Sequence, residues 1–186
     1  MTAIQHFTQK RVVPRLPVDS TALREACGAF ATGVTVITTG APGDSAGTTV
    51  NSFTSVSLEP PLVLFCLHRD SRLAPVLRRS GGFVVNFLTH RQQELAWAFA
   101  GRETARLEDA PHERTAEGLP ILQEALGFLV CRLVDEYGGG DHSIVVGEVL
   151  EVGAHRRDEE PLVFFRGSMH VLEELVQQEL AGEDLG

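Results

Sequence analysis

Apolar segments of strand length recur along the chain, and most of them are rich in β-branched residues. Glycine, proline or aspartate separates one segment from the next. Such runs predict β-strands, because β-branched side chains suit a pleated, half-buried surface. A glycine-rich stretch at 137–141 joins the two longest segments and is typical of a hairpin turn. The predicted strands cover 34–38, 48–57, 62–67, 83–88, 126–135, 143–152 and 162–165.

Apolar residues at helical spacing occur in shorter stretches between or beyond these strands. The first predicted helix begins at Asp19 or Ser20, either of which can cap it, and repeats at Leu23, Cys27 and Phe30. This repeat predicts a helix that packs on the core. A second, short helix is predicted after a cap at Asp70 or Ser71. Two more helices are predicted over residues 92–100 and 171–180.

The order of these elements bounds the fold class. Helices are placed irregularly among the strands instead of alternating with them. An antiparallel barrel accommodates this order better than a doubly wound parallel sheet. Residues 101–120 are polar and have no regular period, so we expect an exposed loop or lid there.

Composition and charge exclude several classes of protein. The chain has 186 residues, 43% of them hydrophobic and 22% charged, which predicts one conventionally folded domain. Its formal net charge of -9 disfavours nucleic acid and anionic lipid as partners. No signal-peptide pattern occurs, and no apolar run approaches the roughly 20 residues of a membrane helix. We therefore expect neither export nor membrane insertion.

The cysteines indicate a compartment. Cys27, Cys66 and Cys131 are odd in number, widely spaced and placed in apolar segments. Such cysteines are expected to be reduced core residues rather than a disulfide framework. We expect a protein of the reducing cytoplasm.

Three familiar catalytic patterns are excluded. Residues 43–47 read GDSAG, a match to the nucleophile elbow of serine hydrolases, but β-branched residues follow where that elbow requires a helix. No two histidines lie four residues apart and no CxxC motif occurs, so no metal site is predicted. Neither GxGxxG nor GxxxxGK[ST] occurs, so any nicotinamide must bind by other means.

Three other segments suit a flat, anionic ligand. Residues 47–57 carry small hydroxyl side chains that let a ring approach the backbone, although a solvated edge strand has a similar composition. Ser71 and Arg72 at a predicted helix start can bind a phosphate, or they can serve only as a cap and a solvated cation. His142, between Asp141 and Ser143, can face a ligand or be an ordinary surface histidine.

Taken together, these segments resemble the flavin reductase-like family, the short-chain NAD(P)H:flavin oxidoreductases that serve two-component monooxygenases. The resemblance covers roughly residues 23 to 169 and keeps the order of the motifs. The matching residues are FATGVTVIT at 30–38, GTTVNSFTSVSLEPPLV at 47–63, Ser71, FVVNFL at 83–88, GDHS at 140–143, VGEV at 146–149 and PLVFFRG at 161–167.

The resemblance implies a mainly β fold, an antiparallel split β-barrel with a few surrounding helices, usually a homodimer with flavin near the interface. It also implies site residues. The isoalloxazine and ribityl groups would be contacted by Thr48, Thr49, Val50, Asn51 and Ser52. The phosphate would be bound by Ser71 and Arg72, and the cofactor would have Asn86 and Phe87 nearby. The catalytic residue, on the nicotinamide side, would be His142.

The implied activity is hydride transfer from NADH or NADPH to N5 of FMN or FAD, after which reduced flavin leaves for a partner monooxygenase. No acid–base pair is required, because the two cofactors carry the redox chemistry. Two alternatives stay open: a flavoprotein with tightly bound FMN or a deazaflavin that acts directly on a small substrate, and a non-enzymatic flavin carrier.

The expected domain organisation has three parts. Residues 1–18 are predicted to form an N-terminal arm, and residues 19–170 the split-barrel domain. Residues 171–186 are predicted to form a C-terminal helix and tail, which packs either on its own barrel or on a partner.

Overall fold

The computed structural model describes residues 17–101, 105–154, 156 and 158–172. Strands dominate, and every strand pairing in this part of the chain is antiparallel. The strands are β1 (Thr32–Gly33), β2 (Thr35–Ala41), β3 (Asp44–Val50), β4 (Thr54–Leu58), β5 (Pro61–His68), β6 (Gly82–Phe87), β7 (His112–Arg114), β8 (Pro120–Leu122), β9 (Gly127–Gly139), β10 (His142–Ala154), β11 (Leu162–Phe165) and β12 (Ser168–Val171). The helices are α1 (Ser20–Gly28), α2 (Leu73–Ser80) and α3 (Gln93–Ala100), with 3-10 turns at His90–Gln92 and Leu107–Asp109.

Seven strands form the main sheet in the order β3-β2-β6-β9-β10-β5-β4. After β3 the chain returns to β5, where the Ser52 hydroxyl bonds the main chain of Cys66. The far ends of the sheet are therefore tied together, which gives the sheet its barrel form. A smaller sheet, β1-β11-β12, and the β7–β8 hairpin flank it.

The main core lies inside this curved sheet and is built on two aromatic rings. Phe65 and Phe83 are fully buried, and their ring centroids lie 5.3 Å apart in an edge-to-face arrangement. Gly147 is required beside them, because a Cβ there would lie 2.3 Å from Cζ of Phe83. A second cluster includes Val36 of β2, Leu88 directly after β6, and Ala96 and Phe99 of α3.

The helix predicted near residue 20 forms, but it does not pack as predicted. Asp19 caps it by accepting a hydrogen bond from the Ala22 amide at 2.9 Å. None of its residues is buried, and the side chains of Leu23 and Phe30 are 53% and 76% exposed. Cys27 is accordingly exposed rather than a core residue. The spacing was helical, but apolar spacing alone does not supply a surface to pack against.

The other cysteines lie deeper. Cys66 is half-buried and Cys131 is buried, and all three cysteines are free thiols. Burial raises the pKa of the Cys131 thiol to about 12. Such a thiol stays protonated and behaves as a small apolar side chain.

Two predicted segments are divided differently in the structure. The strand expected over 48–57 is interrupted at residues 51–53, because Ser52 leaves the ladder to bond Cys66, and β4 starts at Thr54. The expected loop at 101–120 contains buried Leu107, Ala110 and Leu119 in its described part. Leu107 and Ala110 belong to the second cluster and Leu119 to a separate one, so the segment is partly packed and not only an exposed lid.

The chain ends are placed only in part. Val171 belongs to β12 and so does not start the helix predicted over 171–180, whose residues from 173 onward lie outside the described residues. The predicted arm at 1–18 lies there as well, apart from its last two residues. No described helix is long and apolar enough to cross a membrane.

Candidate functional site

The three sequence-predicted segments meet around the end of β5. On one edge of β5, the Ser52 hydroxyl accepts a hydrogen bond from the Cys66 amide at 2.9 Å and donates to its carbonyl at 3.3 Å. On the other edge, His142 of β10 pairs with His68. The Arg69 amide donates to the Asp141 carbonyl at 3.0 Å, so the loop before α2 is fastened to the β9–β10 turn.

The hydroxyl-rich strand β3 uses its side chains largely within the protein. Thr49 donates to the Ala96 carbonyl at 2.7 Å and so holds α3 against the sheet. Thr48 lies opposite Ile37 in the ladder and is half-buried, and Val50 packs at the border of the main core. Asn51 follows the strand and is exposed. Asn51 is therefore an exposed polar side chain of this segment that can meet a ligand, and it also lines the cleft described next.

A cleft opens next to Asn51, between the start of β2 and the end of β6. Its volume is about 340 Å³, within the range of small-molecule sites. Phe53 and Phe87 stand in its wall with ring centroids 5.2 Å apart, edge to face. The lining of this ring cleft, as we call it below, consists of Thr32, Gly33, Val34, Thr35, Asn51, Phe53, Phe87, Leu88, Leu126, Pro161 and Leu162.

Asn86, predicted to lie near the cofactor, is not among the residues that line the ring cleft, although its neighbour Phe87 is. Its side chain is fully buried, and its amide nitrogen donates to the Val36 carbonyl at 2.9 Å and to the Thr38 hydroxyl at 3.1 Å. Its oxygen accepts from the Leu122 amide at 2.8 Å. Because the amide is satisfied by the protein, we assign Asn86 to the core that supports Phe87.

The loop before α2 offers cations. The Ser71 hydroxyl accepts from the Leu73 amide at 3.3 Å, but the N-cap position of α2 is Arg72, so neither Asp70 nor Ser71 caps the helix as the sequence allowed. Neighbouring Arg78 and Arg79 are ion-paired with Glu136 and Asp44. Arg69 and Arg72, in contrast, make no ion pair with any described residue. Unpaired guanidinium groups in an acidic protein suit an anionic ligand.

His142 lies beside a second histidine. Its Nδ1 is 2.8 Å from Oδ1 of Asp141, and its ring centroid is 5.1 Å from that of His68. The hydrogen bond from His142 lowers the pKa of Asp141. Because the Asp141 carboxylate can only accept, the neutral His142 ring carries its proton on Nδ1, and Nε2 is left as an acceptor. We call His68, Arg69, Asp141 and His142 the hairpin end.

Sequence reasoning missed three residues of this region. His68 lies beside His142 because β5 pairs with β10 in a register that places the two residues opposite each other. Aligning the two predicted strands in antiparallel register would have found this pair. Phe53 and Thr32 lie within the matched motifs, but no local signal marked them as walls of a cleft. A second cleft of about 310 Å³, near Gly82 and Arg132, shares no lining residue with the ring cleft.

The fold and the arrangement around β5 are those of a small flavin-binding oxidoreductase barrel. Residues 27–173 match the flavin reductase like domain. The chain belongs to the flavin reductase-like family. Both the predicted family and the predicted split-barrel fold are thus confirmed.

The relatives are reductases. The chain is 39% identical to HsaB, the reductase subunit of a flavin-dependent monooxygenase from Rhodococcus jostii, over 81% of this chain and 76% of that protein. It is 40% identical to the FMN reductase (NADH) SmoA of Agrobacterium fabrum, over 81% and 84%. The solved structure of the NADH:FAD oxidoreductase SgcE6 from Streptomyces globisporus, in complex with NAD and FAD fragments, has a TM-score of 0.76 at 36% identity, covering 82% of this chain and 92% of that one.

Proposed function

We propose that this chain is an NADH-dependent flavin reductase that takes free FMN or FAD as a substrate and passes reduced flavin to a monooxygenase. The relatives named above, one a monooxygenase subunit and two NADH-dependent reductases, support this activity. The observation that carries the proposal is structural. Ser52, between Asn51 and Phe53 of the ring cleft, bonds Cys66 of β5. The same strand leads to His68, which pairs with His142, and to Arg69 and Arg72, which make no ion pair with any described residue.

The ring cleft suits the isoalloxazine ring of the flavin. Phe53 and Phe87 supply apolar walls, and the exposed Asn51 amide can donate to or accept from the ring edge. Arg69 and Arg72, with Ser71, lie in the loop that would hold the phosphate. Because these arginines are exposed, their ionic contacts are weakened by water, which favours release of the flavin after reduction.

The hairpin end suits the nicotinamide donor. When bound, NADH supplies a hydride, an electron pair with its hydrogen nucleus, to N5 of the flavin. The partly exposed His142 has Nε2 left as an acceptor for the carboxamide of the nicotinamide, while Asp141 holds the ring through Nδ1. The residues then act by positioning two rings face to face, and no side chain has to transfer a proton.

The assembly and location that we propose rest on further features. Exposed apolar side chains on β9 and β10, Val134, Tyr137, Leu150 and Val152, support a homodimer that covers them. The free thiols support a reducing cytoplasm, where NADH is available.

The test is anaerobic turnover with flavin in large excess over protein. We expect NADH to bleach the oxidised-flavin absorbance through many turnovers per chain, with FMN or FAD, and to outperform NADPH. Bleaching limited to about one flavin per chain would contradict flavin as a substrate and favour a resident cofactor. Absence of bleaching would favour a carrier or a deazaflavin protein. A reaction without protein is the control for direct reduction.

A further inference from the structure

One buried polar atom in the described residues has no hydrogen-bond partner, the hydroxyl Oγ1 of Thr32. Two buried threonines of β2, in contrast, are bonded: Thr39 donates to the Gly82 carbonyl at 2.6 Å, and Thr35 donates to the Val50 carbonyl at 3.0 Å. A buried hydroxyl without a partner loses its water contacts and gains nothing in return. Such an atom calls for an explanation.

Its position supplies one. Thr32 belongs to the short strand β1, where it pairs with Phe164, and it lies in the wall of the ring cleft. A Cβ added at the adjacent Gly33 would meet no atom within 4 Å, so the approach along β1 is open. The same lining includes the Phe53 and Phe87 rings, whose side chains offer no hydrogen bonds of this kind.

We propose that Oγ1 of Thr32 is a hydrogen-bond partner for the polar edge of the isoalloxazine ring in the ring cleft. The inference rests on the proposed function, because that function supplies the flavin. A hydroxyl both donates and accepts, so it can pair with a ring carbonyl or with the ring N–H. The proposed function assigns the nicotinamide to His142, which lines no part of the ring cleft, so we assign the ring cleft and Thr32 to the flavin.

This role predicts opposite effects on the free protein and on its complex. Thr32→Val keeps the shape of the side chain and removes the unsatisfied hydroxyl. The free protein should therefore melt at the same or a higher temperature than the wild type. Flavin affinity should fall about fivefold to tenfold, the usual loss for one hydrogen bond. Thr32→Ser keeps the hydroxyl and should stay within about twofold of wild-type affinity.

The experiment combines FMN titration without NADH and thermal unfolding with and without FMN. Thr54→Val, at an exposed threonine of β4, is the matched control and should change neither quantity. An equal loss of affinity for FMN and FAD is expected, because the two share the ring. A loss for FAD alone would place Thr32 at the nucleotide part and overturn the proposal.

Other results would overturn it as well. Wild-type FMN affinity in Thr32→Val would show that the hydroxyl does not meet the ring, and a lower melting temperature would show that it serves the fold. A loss of NADH affinity with unchanged FMN affinity would assign it to the nicotinamide. Failure of the proposed function is a separate outcome, because it is measured as turnover by the wild type. If the wild type binds FMN through Thr32 but does not reduce it, the inference about Thr32 stands and the proposed function is contradicted.

Discussion

The ring cleft and the hairpin end are linked through the contact of Ser52 with Cys66 but are built in different ways. Phe87 and Phe53, in the wall of the cleft, border the main core, and Asn86 beneath them is fully buried. His68, Arg69 and Asp141 of the hairpin end are exposed and are held mainly by main-chain pairing. Packing fixes the geometry of the first region, and strand register fixes that of the second.

This difference predicts where a substitution will be felt. Behind the cleft, polar side chains such as Asn86 and Ser52 bond the protein itself, so their loss should lower stability. At the hairpin end, side chains face solvent, so their loss should change kinetics and leave stability nearly intact.

Two asparagines should separate these effects most strongly. Asn86→Ala removes the side-chain partner of the Val36 carbonyl and the Leu122 amide, and leaves the Thr38 hydroxyl with its bond to the Pro120 carbonyl alone. It should cost about 3 kcal/mol or more of unfolding free energy. The FMN affinity of the folded fraction should stay within about twofold. Asn51→Ala should do the reverse, with weaker FMN binding and stability within about 0.5 kcal/mol. Urea unfolding and FMN titration measure both, and stable Asn86→Ala protein with weak FMN binding would reverse our assignment.

Ser52 should give an intermediate effect. Ser52→Ala removes the hydroxyl that bonds both main-chain groups of Cys66 and should cost about 1–2 kcal/mol in urea unfolding. Ser55→Ala, at an exposed position of β4, is the control and should stay within about 0.5 kcal/mol. Equal stability of the two variants would mean that Ser52 does not tie β3 to β5.

His142→Gln should mainly affect the nicotinamide. We expect kcat/KM for NADH to fall about fivefold to tenfold, because one positioned hydrogen bond is lost. Affinity for FMN and the melting temperature should stay close to wild type, since His142 lines no part of the ring cleft. Steady-state kinetics with NADH as the varied substrate measure the first quantity. A fall in FMN affinity alone would move His142 to the flavin side.

The smallest expected effect is the pH dependence of the Asp141–His142 contact. The hydrogen bond from His142 lowers the pKa of Asp141, so the contact stabilises the folded chain above the ordinary aspartate pKa of about 4. Its contribution is lost as the pH falls through the lower pKa of the folded state. The melting-temperature difference between wild type and Asp141→Asn should therefore be present at neutral pH and vanish in acid. A difference that grows in acid would contradict the assignment.

Much of the fold could be predicted, because its signals are local. The β-branched run of β2, the buried run of β5 and the glycine-rich turn between β9 and β10 predict strands from a few neighbouring residues. The exposure of α1 could not be predicted, because whether Leu23 is covered depends on surfaces remote in sequence. The break at Ser52 depends in the same way on Cys66 of another strand.

The candidate site could be predicted as segments of the chain, whereas the contacts of individual side chains could not. The order of the motifs indicated which stretches converge, and the structure brings residues 48–52, 69–72 and 140–143 together. The partners of Thr49 and Asn86 could not be inferred, because the same side chain can bond a ligand or a distant carbonyl. His68 and Thr32 acquire their positions only through strand pairing.

A crystal structure of this protein with FMN tests the central claim most directly, namely that the ring cleft and the hairpin end divide the two substrates. We expect the isoalloxazine ring between Phe53 and Thr32, within hydrogen-bond distance of Oγ1, the phosphate near Ser71 and Arg72, and His142 facing the open side of the ring. An isoalloxazine ring in the cleft near Gly82 and Arg132, or one stacked on His68 and His142 with the ring cleft unused, would contradict this division.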